Sequence, residues 1–259
     1  YLGGALLFVV NVLMVLHPAW FGLADATIAT RLSLLTVAAW WAMFALPQFR
    51  YVQEPAAIAE TTGWRELWQT LKAVMANRPV RNFLIAYWLY IDALGTMQQM
   101  AVDFGAKLGF STSALISALL MVQFISFPAA IAFGRLAGYI GPKRAIYLGL
   151  TVFICRTIWA YTLQTERQFF IMSSVVALVQ GGVQSLSRSY FSRLIPAQQS
   201  GESLGLSPVL NHFNTVLGPL VMGSVAILLG NQRLSIMALA PMFAIGMYLL
   251  SRVEEPDSL

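Results

Sequence analysis

Charged residues are scarce in this chain: Asp, Glu, Lys and Arg make up 10% of 259 residues, where soluble domains carry about a quarter. Cysteine and histidine are scarcer still, at one and two. Cys155 alone forms no internal disulfide, which excludes a disulfide-stapled fold. His17 and His212 are far apart and offer no metal-ligand spacing, so neither a metal nor any other cofactor is expected. There is no HExxH, no nucleophile elbow and no Gly-rich phosphate loop. These absences argue against an enzyme and against an ATP-driven pump module. What remains is apolar, 58% of the residues. The net charge of +5 comes from basic residues scattered between apolar runs rather than gathered in a patch, so no nucleic-acid partner is expected.

A helix needs about 20 apolar residues to cross a bilayer. Continuous runs of that kind lie at about 1–16, 32–49, 83–103, 113–133, 145–163, 168–187, 206–229 and 234–251. They do not alternate, and they far exceed barrel-strand length. The expected fold is therefore an all-α integral membrane protein with eight transmembrane helices, the lipid bilayer being its first partner. The run "YLGGALLFVVNVLMVL" at residue 1 has no charged leader and no small-residue cleavage pattern, so it is read as a truncated span rather than a signal peptide.

Lys and Arg accumulate on the cytoplasmic side of membrane proteins. One set of connections holds Arg50, Arg65, Lys72, Arg78, Arg81, Arg135, Lys143, Arg144, Arg188, Arg193 and Arg252. The other set holds only Arg31, Lys107, Arg167 and Arg233, and Arg156 falls inside a span. The bias places segment 50–82, the 134–144 loop and the C-terminus in the cytoplasm. Within 50–82, Trp64, Leu67, Trp68, Leu71 and Met75 recur at helical spacing. That pattern reads either as an amphipathic helix at the interface or as one packed against the protein's underside, ending near Pro79.

Polar residues inside the spans mark candidate function. The segment "AYWLYIDALGTMQQMAVDFG" carries Asp92, Gln98, Gln99 and Asp103. A carboxylate ionised at the bilayer centre costs at least roughly 2.5–3.5 kcal/mol, so Asp92 either faces water or holds a proton. Asp92, Thr96, Gln99 and Asp103 advance by four, three and four residues and share one helical face. A second stripe, Gln180 and Gln184 and then Ser187 or Arg188, flanks Gly181-Gly182, where backbones are expected to come close. These amides suit a small zwitterionic or polyhydroxylated solute, and equally suit hydrogen bonds between packed helices. Asn211 and Asn214, ahead of a kink at Gly218-Pro219, are placed to face a pathway. Arg156 either pairs with Asp92 or snorkels outward, and His212 alone is more plainly a hydrogen-bonded side chain than a proton carrier.

Between the fourth and fifth spans stands "FGRLAGYIGPKR". Here Gly134 and Gly138 are expected to let helices approach closely, Gly141-Pro142 to make the turn, and Arg135, Lys143 and Arg144 to face lipid or helix C-termini. The string resembles the G-x-L-A-D-x-x-G-x-[KR]-[KR] loop of the major facilitator superfamily, with Gly138 where that loop has Asp. The strings "FLIAYWLYIDALGTMQQMA", "VQGGVQSLSRSYFSRLIP" and "VLGPLVMG" are similar to the vacuole-effluxer family within it.

That resemblance implies that residues 1–49 are helices five and six, 50–82 the central cytoplasmic loop, and 83–252 helices seven to twelve. Residues 253–259 become a cytoplasmic tail, and helices one to four are missing from this sequence. It implies a secondary transporter that exports amino acids or other small solutes. Asp92 is the candidate proton-coupling group, because a carboxylate can exchange a proton between two states of a carrier, and the short loops favour a bacterial plasma membrane over a vacuolar one. The alternatives are a non-transporting receptor or scaffold, or a carrier of sugars or other organic solutes. Glycine at position 138 removes the carboxylate with which this loop makes charge contacts in the superfamily.

Overall fold

The computed structural model describes residues 2–51, 72, 75–194 and 216–253, and all the elements among them are helical. The chain divides into two compact units, Tyr1–Arg65 and Glu66–Leu259. In the first, α1 (Leu2–Leu16) and α2 (Ala26–Tyr51) form a hairpin across a single 3-10 turn, Pro18–Phe21. The turn closes on Gly22 at φ +69°, a left-handed position that favours glycine. The Asp25 carboxylate accepts from the Ile28 N–H at 2.8 Å and so satisfies one orphan donor at the start of α2. Thr36 donates its hydroxyl to Asn11 at 2.8 Å, joining the two helices where both are otherwise apolar.

The second unit contains α3 (Arg78–Lys107), α4 (Thr112–Ile140), α5 (Pro142–Tyr161), α6 (Glu166–Leu194), α7 (Leu217–Leu229), α8 (Gln232–Met237) and α9 (Ala240–Ser251). Local chemistry sets their limits. Ser111 caps α4, Asn231 caps α8 through the N–H groups of Arg233 and Leu234, and Gly230 ends α7 at φ +59°. Pro79, Pro142 and Pro241 stand in first turns, where their missing N–H has no helical partner to lose.

Hydrocarbon gives apolar helices little reason to associate, so small residues and close packing must do it. Gly149 sits against Val183, Gly182 against Phe133, and Gly246 against Ala86 and Tyr90. Ring contacts add to this. Phe83 of α3 meets Tyr190 and Phe191 of α6 at centroid distances of 5.3 and 5.9 Å, and Phe153 of α5 stacks on Phe243 of α9 at 5.5 Å.

Four described helices are long and apolar enough to cross a bilayer: Ala26–Tyr51, Thr112–Ile140, Glu166–Leu194 and Arg233–Ser251, the last running through α8 and α9. Residues 3–16 and 217–229 form shorter apolar helices. At 30 and 20 residues, α3 and α5 have the length, but they carry more polar sequence. The chain is thus an integral membrane protein in which every element among the described residues is a helix.

Several boundaries differ from the sequence reading. The expected loop at 133–144 shrinks to Gly141 at φ +89°, because α4 runs on to Ile140. Phe133 and Ala137 continue its buried face, one turn apart. Gly134 and Gly138 are exposed, and a Cβ added at either would meet nothing within 4 Å. They are therefore not the close-approach glycines; Gly149 and Gly182 are. Helix α6 extends to Leu194, which puts Arg188 and Arg193 inside it. The 234–251 span is interrupted at Ala238 and Leu239, just before Pro241. The amphipathic segment at 64–71 and residues 206–215 of the seventh expected span lie outside the described residues.

Candidate functional site

Helix α3 presents polar residues to two neighbours, α7 and α6. Asp92 and Thr96 are buried, at 0% and 1% exposure, and both face the start of α7. The Gly218 N–H, in the first turn of that helix, donates to Asp92 Oδ2 at 2.6 Å. Pro219, next in the chain, has no N–H to offer. Asp92 therefore supplies from another helix what an N-cap residue usually supplies locally, at the end where the helix dipole favours negative charge. Its second oxygen, Oδ1, and the Thr96 hydroxyl have no partner among the described residues. Gly218 is required here: a Cβ would collide with the Thr96 hydroxyl and lie 3.2 Å from the Asp92 carbonyl oxygen.

One and a half turns further along α3, Gln98 donates through Nε2 to Gln180 Oε1 at 2.8 Å. Gln180 in turn donates to Ser126 Oγ at 2.9 Å. Three helices, α3, α6 and α4, are thereby joined by side-chain amides and a hydroxyl. Elsewhere on the α3–α6 interface, Tyr90 donates to Ser187 at 2.7 Å, and Ser187 donates to the Val183 carbonyl. Positions rise from 90 to 98 on α3 as they fall from 187 to 180 on α6, so the two helices run antiparallel.

The first expected stripe is therefore only partly assembled. Asp92 and Thr96 share an environment, whereas Gln99 is exposed and Asp103 pairs with Lys107 at 2.8 Å. In the second stripe, Gln180 is buried, Gln184 is half-buried and Ser187 is buried. Asn211, Asn214 and His212 lie outside the described residues. Arg156 does not pair with Asp92; its guanidinium donates to Met97 Sδ at 3.1 Å. Gln98 falls off the expected face, yet it makes the contact with α6. At about 100° per residue Gln98 stands about 80° around the helix from Tyr90, so periodicity alone does not single it out for that contact.

The basic turn has its own geometry. Arg135 and Arg144 are exposed, and Lys143 donates to the Val253 carbonyl at 2.5 Å. This ties the start of α5 to the end of α9, where a cation meets unsatisfied carbonyls. Lys143→Met is expected to lower stability by about 1 kcal/mol, read as an earlier thermal midpoint in detergent. At the opposite end, Glu166 accepts from both the N–H and the hydroxyl of Ser111, at 2.7 and 2.8 Å, pinning α6 to α4. Among the described residues, no cluster of three or more His, Cys, Asp or Glu is placed to hold a metal ion.

The sequence is similar to known proteins along its length. The family profile described as "Vacuole effluxer Atg22 like" matches residues 1–258. The chain is 31% identical over its whole length to an uncharacterized MFS-type transporter, YxiO, of Bacillus subtilis, covering 62% of that protein. It is 25% identical to autophagy-related protein 22-2 of Aspergillus niger, over 81% of this chain and 41% of that one. The counterpart in Penicillium rubens is 24% identical, over 90% and 44%. The chain thus spans less than two thirds of the length of each of these relatives.

Proposed function

Since this chain belongs to the vacuole-effluxer Atg22-like family of transporters, which are not enzymes, we propose that it is the larger part of a secondary transporter working by alternating access. In this reading residues 1–49 are helices five and six, residues 50–82 the central cytoplasmic loop, and residues 83–252 helices seven to twelve. The eight helices lie in a bacterial plasma membrane with the C-terminus in the cytoplasm. Helices one to four, outside this sequence, complete the cavity. The cargo is an amino acid or a similar small solute, moved outward.

The observation that carries this reading is the pair of exposed glutamines, Gln98 and Gln99, backed by the buried Gln180. They stand about 10 Å along the helix from Asp92, at 1.5 Å per residue, and so still within the depth of hydrocarbon. Exposed amides at that depth are costly against lipid and useful against a water-filled path. Rocking of two halves about a central site then exposes them alternately to either side. Asp92 is the candidate coupling group, since a carboxylate that gains and loses a proton between the two states links proton and solute movement.

The test uses the full-length parent in proteoliposomes loaded with mixed amino acids, sugars and organic acids. A pH gradient is imposed, and the departing solutes are identified by mass spectrometry. Selective, gradient-dependent loss of amino acids is expected. Loss of a sugar instead would keep the carrier and overturn the cargo, whereas retention of every solute by folded protein would overturn the transporter.

A further inference from the structure

We infer that Gln98 is the residue through which α3 contacts the solute, and that Gln180 and Ser126 are positioning residues holding its amide. The inference rests on the transporter reading and names the chemistry of its site. Gln180 is 3% exposed and Ser126 0%. The Gln180 carbonyl accepts from Gln98, and its amino group donates to Ser126, so it has little left to give a solute. Gln98 is the reverse: it is exposed, only one of its N–H groups is engaged by Gln180, and its Oε1 and second N–H remain to meet a solute. Gln99 is also exposed, but no contact comparable to the Gln98–Gln180 bond orders its side chain among the described residues, and ordering it would cost entropy on binding.

The chain of hydrogen bonds ends in a hydroxyl, which has consequences. Ser126 donates or accepts equally well, so both amides can reverse together without losing either bond. In one sense Gln98 offers mainly an acceptor, suited to an ammonium or hydroxyl group; in the other it offers mainly donors, suited to a carboxylate. Among the described residues the hydrogen-bond chain from Gln98 through Gln180 to Ser126 holds no charged side chain. The site therefore selects solutes of zero net charge that carry both donors and acceptors, such as neutral amino acids, over net anions or cations.

The experiment compares wild type, Gln98→Leu, Gln98→Glu and Gln180→Leu in the full-length protein. Transport of alanine, serine, lysine, glutamate and glucose is measured for KM and maximal rate. Gln98→Leu should raise KM for the neutral amino acids about tenfold, with the maximal rate little changed. Gln98→Glu should shift kcat/KM toward lysine over alanine by about tenfold. Gln180→Leu should raise KM, and adding Gln98→Leu to it should cost little more. Unchanged KM and unchanged preference in both Gln98 variants would overturn the inference. Stabilisation by the same solutes is read in parallel from thermal melts. If wild type transports nothing but alanine stabilises it and not Gln98→Leu, the site stands and the transporter reading falls. Equal stabilisation of both proteins overturns the site.

Discussion

Asp92→Asn is expected to abolish the response of transport to a pH gradient while leaving solute exchange and folding largely intact. Asparagine keeps a carbonyl oxygen where Asp92 Oδ2 accepts from Gly218, so the start of α7 stays capped. What it loses is the negative charge and the ability to exchange a proton. Asp92→Ala differs, because it leaves the Gly218 N–H without an acceptor in an apolar setting, at a cost of about 1–3 kcal/mol. The alanine variant should therefore melt earlier, and the asparagine variant should melt close to wild type. Coupling that persists in Asp92→Asn would reduce Asp92 to a structural cap. The carboxylate already performs that task, so the proton dependence of transport is what separates the two roles.

Gly218→Ala is expected to be among the most damaging single-methyl changes in the second unit. The added Cβ would lie 2.8 Å from Thr96 Cβ, closer still to the Thr96 hydroxyl, and 3.2 Å from the Asp92 backbone oxygen. Side-chain rotation relieves only one of these. The helices must separate, and the bond from Gly218 to Asp92 lengthens with them. Overpacking of a tight contact costs about 1–3 kcal/mol, and the upper part of that range is expected here. Thr96→Ala in the same chain should recover part of the loss by removing the hydroxyl, though not the clash with the backbone. Wild-type melting of Gly218→Ala in detergent would refute the α3–α7 contact as described.

Much of this architecture is legible in the sequence because hydrocarbon imposes simple rules. Long apolar runs become helices, since no water is present to satisfy exposed backbone groups. Glycine and proline then mark turns, as at Gly141-Pro142. Gly182 is a point of close approach, as its place in a Gly-Gly pair inside a span suggests, whereas Gly134 and Gly138 are not. The spacing of those two resembles a packing motif, but the helix turns them outward, and only the phase of α4 against its neighbours decides that.

The candidate site divides along the same line. The sequence by itself determined that Asp92, Thr96 and Gln180 sit within long apolar runs, where burial makes each polar group costly and therefore informative. Which groups meet was decided by tertiary packing. Asp92 meets a backbone N–H of α7 rather than Arg156, and Gln180 meets Gln98 rather than Gln99. A one-residue step on a helix is about 100° of rotation, so adjacent glutamines face different surroundings. Periodicity along one helix identifies a face, but its partner is set by the register and rotation of a second helix, and those arise only when the helices pack.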